Sequence, residues 1–453
     1  MKDWPDFIRA QLPRHRLLRG VAVIAGGTAL SQALGALAAP VLTRLYTPAD
    51  FGVYAIYLSI LGLVSALGSL RYELAIPLAE DEAAAVHLVV LCALVLGAMS
   101  AAAGAVFGGL GRVIIRWTDS PGLGPYLGLL PLGFLAMGSF SIMNYWLIRR
   151  KSYGLIARAK LIQGTSMIST QLAGGFAKIG PLGLLLGQIA GHGSASGWVA
   201  RSLWRGRGAF LGRITFAGLR REARRFRRFP LYSSAGALLN AAGGNLPLLL
   251  FAALYGPKAA GWLGLGQRLT GSLYALAGDT VARVYFGEAA ALATDHPERL
   301  RRLYDRALVR LMLLGSVLMV LIIAVGPSGF AAILGPEWKM TGTYLRYLSL
   351  ALVFQFAVGS LSQTLNILER QGLQLAWDLV RLLLGIASLS AAKAFGWPAA
   401  KAVMVLSGAA AASYLLLLFL TRRALSRRVR LWSPKGTAAE GVSDFVSGPG
   451  ERP

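Results

Sequence analysis

The stretch "RLYTPADFGVY", Arg44 to Tyr54, has a partner: "LYGPKAAGWL" begins at Leu254. Leu-Tyr, one spacer, Pro, three spacers and Gly recur in the same order 209 positions later. Each copy stands between two apolar runs. Proline is tolerated in the first turn of a helix, where the N–H it lacks would have no partner anyway. A tyrosine just before it suits a membrane interface, which favours an amphipathic ring. Each copy therefore reads as a tight turn between the first and second helices of a unit, and the pair reads as a duplicated architecture.

The flanking runs are of membrane length. Of 453 residues, 55% are hydrophobic and 15% charged, with a mean hydropathy of +0.57. A soluble chain carries more charge. Val86 to Gly111, Leu308 to Gly326 and Val403 to Thr421 each approach or exceed the roughly 20 residues that cross about 30 Å of hydrocarbon. Twelve spans follow: 20–43, 51–71, 84–110, 126–148, 153–176 and 181–203, then 231–255, 259–286, 306–326, 341–366, 373–395 and 398–421. The 153–176 and 259–286 spans carry charges. The expected fold class is all-α: a polytopic membrane protein of about 12 transmembrane helices in two six-helix lobes, related by a pseudo-two-fold along the membrane normal.

The net charge of +26 is a matter of topology rather than of nucleic acid. Basic residues concentrate between apolar spans, and no nucleic-acid module is present. One side holds Arg9, Arg14, Arg16 and Arg19, then Arg149 to Lys151, Arg205 to Arg228, Arg299 to Arg302 and Arg422 to Arg430. The opposite loops are short and poor in cations. That asymmetry places both termini in the cytoplasm. The organisation is then a cytoplasmic N-terminal segment (1–19), an N-lobe (20–203), a basic cytoplasmic amphipathic linker (204–230), a C-lobe (231–421) and a tail (422–453) that is basic and then disordered. In the linker, Phe216, Leu219, Ala223 and Phe226 fall at helical spacing among arginines, the pattern of a helix lying on anionic membrane lipids. The first span follows a charged segment with no small-residue cleavage site, so it is expected to be retained. Cys92 stands alone in an apolar run and four scattered histidines lack metal-ligand spacing, so neither an internal disulfide nor a metal or other cofactor is expected.

Ionisable side chains at membrane depth are costly and so face a wet cavity or one another. In "GLGQRLTG", Arg268 follows Gln267 and lies about ten residues, hence about 14 Å, into its span. That is close to the midplane, and no carboxylate lies at i±3 or i±4. Arg268 is the leading candidate for anion binding, with Gln267, Arg158, Arg71, Asn240, Asn245 and Gln32 as further groups lining a cavity. Asp279 with Arg283 (i, i+4) and Asp378 with Arg381 (i, i+3) share helical faces, as coupling groups or structural ion pairs. Gly183, Gly187 and Gly191 form a face for close helix packing. A weaker echo links Asn144/Arg149 with Asn366/Arg370 at the inner turn of each half. An interior with excess positive charge and amides suits a large, polar, anionic substrate.

Pro40 to Ala84 and Asn240 to Ala290 resemble bacterial oligosaccharide-lipid flippases of the Wzx (O-antigen) type, in the multidrug/oligosaccharidyl-lipid/polysaccharide (MOP) exporter superfamily. The resemblance spans roughly residues 20 to 421. It implies a cationic central cavity and transport, without catalysis, of an undecaprenyl-diphosphate-linked oligosaccharide from the cytoplasmic to the periplasmic leaflet of a bacterial inner membrane. The repeat unit would serve O-antigen, capsule or exopolysaccharide, and other polysaccharide-assembly membrane proteins would be partners. In the family, basic residues within spans are thought to engage diphosphate or acidic sugar, a role Arg268 matches best. A lipid II flippase shares fold and cargo chemistry. A multidrug extruder of the same fold would favour carboxylates in the cavity, and the first span here has none. A membrane glycosyltransferase would want carboxylates on a sizeable outer loop, whereas the outer loops here are short.

Overall fold

A computed structural model of the chain describes residues 15–118, 120–204, 214–274, 278–293 and 296–431. The expectations for the first residues and for the tail beyond Leu431 lie outside the described residues. The described part is helical throughout. The first half holds α1 (His15–Leu45), α2 (Pro48–Ser65), α3 (Glu82–Thr118), α4 (Leu129–Arg149), α5 (Tyr153–Phe176) and α6 (Pro181–Trp204). A short helix, α7 (Phe216–Arg225), joins it to α8 (Ser234–Leu273), α9 (Asp279–Leu292), α10 (Pro297–Leu334), α11 (Lys339–Phe354), α12 (Gln371–Ala394) and α13 (Ala399–Leu431).

Helix α8 is two helices that fold back on one another at Gly256, whose φ of 83° is open to glycine but strained for other residues, so that Gly264 lies against Leu248. Its arms, 234–255 and 257–273, with α9 to α13 give the second half seven rods against the six of α1 to α6, because the expected eighth span comprises the second arm and α9. By length and composition, eight of the described helices can cross a membrane, one of them the whole of the bent α8. The protein is a multi-pass membrane protein in a two-lobe layout. Two expected spans are interrupted. The second stops as a helix at Ser65 and turns through left-handed Leu70 and Arg71 into a 3-10 turn, Tyr72–Leu78. The tenth carries a π-turn at Gln355–Gly359. Periodic hydropathy registers length and apolarity; it does not register a single turn lost within a run.

Within the first half, α5 packs on α6 and on α1, and α4 packs on α6; within the second, α10 packs on α11, α12 on α13 and α8 on α12. The glycine face of α6 works as expected. A Cβ on Gly187 would meet Met167 O at 2.8 Å, and one on Gly191 would meet Gln163 O at 2.8 Å. The halves join chiefly through α2 against α8, the helices that follow and contain the two copies of the repeat.

The first copy builds its turn with a capping box. Asp50 N–H donates to Thr47 Oγ1 at 3.2 Å and Thr47 N–H donates to Asp50 Oδ2 at 2.9 Å, with Pro48 in the first turn. Such a cap contributes about 1 kcal/mol. The second copy has Gly256 in place of Thr47 and turns through its backbone freedom.

The linker helix α7 is docked onto the protein. Gly218 sits against the ring of His87, Thr215 N–H donates to His87 Nε2 at 3.2 Å, and Tyr72 OH donates to Ala223 O at 3.1 Å. Glu222 is buried. Leu219, Ala223 and Phe226 are half-buried and Phe216 is 80% exposed, so the apolar face expected to meet lipid is shared with α3 and the 72–78 turn. The arginines point outward, with Arg225 held to Glu80 at 2.7 Å, a bond that raises its guanidinium above its ordinary range. Removing the His87 ring in His87→Ala should release α7. Amides 216–225 should then exchange about fivefold faster, the factor for about 1 kcal/mol, by hydrogen-exchange mass spectrometry. Unchanged exchange would contradict this docking.

Candidate functional site

Arg268 lies on the second arm of α8, one turn beyond Gly264. Its side chain crosses to the other half. Nη2 donates to Gln171 Oε1 in α5 at 3.4 Å, and the guanidinium carbon lies 5.7 Å from the centroid of the Tyr54 ring in α2. Gln171 and Tyr54 are buried, at 0% and 3% exposure. A network fixes both. Tyr46 OH donates to Gln171 O at 2.6 Å, Gln171 Nε2 to Leu184 O at 3.3 Å and to Tyr54 OH at 3.5 Å, and Tyr54 OH to Gln188 Oε1 at 3.2 Å. Gly183 and Gly187 make the room: a Cβ on the first would strike Tyr46 OH, and on the second the Gln171 side chain. The packing face read from sequence thus also seats the partner of Arg268.

The guanidinium has amide and aromatic neighbours and no ion pair among the described residues. A half-buried Arg offers five N–H donors, and a charge taken from water without a counter-charge is costly. The electrostatics therefore favour an incoming anion. Beside it runs a recess between α1 and the second arm of α8, lined by Gly35, Ala36, Ala39, Leu42, Phe51, Leu265, Leu269 and Ser272, with Arg268 as its charged member. Mostly apolar residues form the wall, and Arg268 is the one cation among the lining residues.

The other expected site residues divide. Gln32 joins the recess: Ser272 Oγ donates to Gln32 Oε1 at 2.9 Å and to Arg268 O at 3.0 Å. Gln267 and Arg158 are exposed. Asn245 bonds back to Ala241 O at 2.8 Å and seats Gly62. Asn240 falls in a separate cluster of the second half. There Asp378 pairs with Arg381 at 3.3 Å, Asn240 Nδ2 donates to Asp378 Oδ1 at 3.4 Å, and Arg381 donates to Asn240 O at 3.3 Å and lies 4.7 Å from the Trp377 ring. Arg71 is 3.7 Å from buried Glu73, which also accepts from Ser69, well along the chain from the recess. The side chains of Asp279 and Arg283 lie outside the described residues. Arg149, seen in the sequence as an echo, clamps the 72–78 turn through Ala79 O at 2.6 Å and Asp81 O at 2.8 Å.

Sequence reading missed Gln171 and Tyr54. Neither has a local partner at i±3 or i±4 to mark it. Their partner is Arg268, reached only when the halves meet.

The architecture is that of the MOP superfamily transporters. The chain is similar to a multidrug resistance MATE family transporter of that superfamily in an inward-facing conformation, at TM-score 0.69 and 14% identity, covering 91% of this chain and 100% of that one. It is similar to the lipid II flippase MurJ in an inward closed conformation, at TM-score 0.70 and 11% identity, covering 90% of each chain. Against an outward-facing MATE family transporter the TM-score is 0.56 at 12% identity, covering 90% and 96%. No curated protein matches the chain in sequence. Residues 41–342 match the family described as polysaccharide biosynthesis protein, and the chain belongs to that family.

Gln171→Leu should lower stability by about 1–3 kcal/mol, since it removes three bonds in a buried network. Gln188→Leu, which removes one, should lower it less. Thermal unfolding in detergent checks the order; equal melting temperatures for both variants and the parent would contradict it.

Proposed function

We propose that the protein is a flippase that moves an undecaprenyl-diphosphate-linked oligosaccharide from the cytoplasmic to the periplasmic leaflet by alternating access. The observation that carries this reading is the recess: one guanidinium without a carboxylate partner, set in an apolar wall between two helices. An amphiphile with an anionic head and a hydrocarbon tail satisfies both parts. The diphosphate meets Arg268 and the amides around it, the glycan occupies the space between the lobes, and the polyprenyl chain stays in lipid. No covalent step is required, so the protein acts as a transporter rather than an enzyme. Membership of a polysaccharide biosynthesis family supports the glycan cargo.

The charge asymmetry of the loops supports cytoplasmic termini, and the family resemblance supports a bacterial inner membrane. The basic segment between the two sets of spans supports the division into N-lobe (20–203), linker (204–230) and C-lobe (231–421). The arginine face of α7, set at the cytoplasmic end on that orientation, suits anionic headgroups. The likeness to MurJ favours a second reading, a lipid II flippase, whose diphosphate would use the same guanidinium. A multidrug extruder for cationic drugs would be opposed by the charge of Arg268.

The test is reconstitution in vesicles with a fluorescent lipid-linked oligosaccharide and a leaflet-accessibility assay. The protein should make the inner-leaflet label accessible; equal protection with and without it would overturn the reading. Arg268→Ala should lose transport at normal expression, and Arg268→Lys, which keeps a point charge without the planar fork, should keep part of it.

A further inference from the structure

The two copies of the repeat touch one another. A Cβ added at Gly52 in the first copy would overlap the Pro257 carbonyl of the second, coming within 2.5 Å of its carbon. A Cβ added at Gly261 in the second would overlap the Pro48 carbonyl of the first and lie 2.8 Å from Gly52 N. Gly261 is the repeat equivalent of Gly52, and Pro257 of Pro48, each 209 positions on. The contact is therefore reciprocal, as at a two-fold axis. One turn further in, Ala55 faces Gly264, its own equivalent, with 2.6 Å between Ala55 Cβ and a Cβ built on Gly264. The pseudo-axis passes through that pair.

These are backbone-to-backbone contacts. In glycine a hydrogen takes the Cβ direction, so each Gly presents an Hα to the other lobe's proline carbonyl, a weak hydrogen bond that only the missing side chain permits. The prolines fix the first turns that hold those carbonyls in place. Trp338, from the segment between α10 and α11, caps the same end: its Nε1 donates to Thr43 O at 2.9 Å, its ring packs on Phe51 with centroids 5.0 Å apart, and it is 1% exposed. The join loosens away from this end. Gly271, seven residues beyond Gly264 on the same arm, is exposed and has nothing within 4 Å. The join is therefore tight at the repeat and open at Gly271 on the second arm, while α2 stays packed on the first arm as far as Gly62, where a Cβ would meet Asn245 Oδ1 at 2.6 Å.

We propose that the reciprocal Pro48–Gly261 and Gly52–Pro257 contacts, capped by Trp338, are the seal that closes one end of the path between the lobes. One methyl group at either glycine forces that end apart and biases the protein toward the form open there. A duplicated turn supplies both halves of the latch, which is why Leu-Tyr-x-Pro-x-x-x-Gly stands at the same place in each lobe while the residues around it differ.

The seal can be read without any cargo. Ser59 lies on the same face of α2, one turn in from Ala55, and is 6% exposed. Ser59→Cys is close to isosteric and reports access from the sealed end. The full chain carrying it is purified in detergent and treated with N-ethylmaleimide, with labelling of the buried Cys92 in the parent subtracted. In the otherwise unaltered protein the thiol should react slowly. Gly52→Ala, Gly261→Ala and Trp338→Ala should each raise the rate by about tenfold, the factor that about 1.4 kcal/mol of bias supplies. Gly271→Ala, where a methyl meets open space, should leave it unchanged. Trp338→Ala introduces no overlap, so it decides the matter if the glycine variants are not monodisperse. A rise below about threefold in the monodisperse seal variants, an equal rise in Gly271→Ala, or rapid labelling in the parent would overturn the proposal.

Discussion

Two helices from different lobes approach so closely at Gly52 and Gly261 that neither position has room for a side chain, and the rest of the architecture follows from that approach. Hydrocarbon gives helices no hydrophobic reason to associate, so the join depends on close backbone packing. Glycine permits the approach, proline sets the turn, and duplication supplies the same surface twice. With the crossing fixed near Ala55 and Gly264, the arms diverge beyond it. The residue one turn past Gly264 is Arg268, and the recess opens there.

Several polar groups within the spans bind the bundle together through one another. Gln163 bonds His192 at 2.9 Å, Gln32 meets Ser272, and Asp378 is held by Arg381 and Asn240. These contacts hold helices to one another. Arg268 has an amide at 3.4 Å and a ring face, which orient a guanidinium without neutralising it. Its repeat equivalent, Ser59, carries no charge. The two lobes are alike where they meet and unlike where an anion would lie.

Much of this was legible beforehand. The six rods of the first half, the repeat at the same turn of each lobe, the packing face of α6 and the Asp378–Arg381 pair all follow from periodicity or local spacing. The interruption near Ser65 did not, because apolarity continues through it while the backbone turns. Gln171 and Tyr54 were equally hidden, since their meaning comes from a partner more than ninety residues away. The repeat was read as a turn marking each lobe; that its copies face each other required the assembled bundle. Asn240 and Arg71, grouped with Arg268 on depth alone, lie with carboxylates of their own. Depth along a helix was readable, and direction around it was not.

The central claim is that Arg268 is an anion-binding group open to a lipid-borne headgroup. The affinity of the detergent-purified protein for a polyprenyl diphosphate tests it most directly, measured beside Arg268→Ala and Arg158→Ala. Loss of charge-assisted hydrogen bonds should weaken binding to Arg268→Ala by about tenfold or more, and leave the Arg158→Ala affinity nearer that of the parent. Equal affinity of the parent and Arg268→Ala would contradict the account.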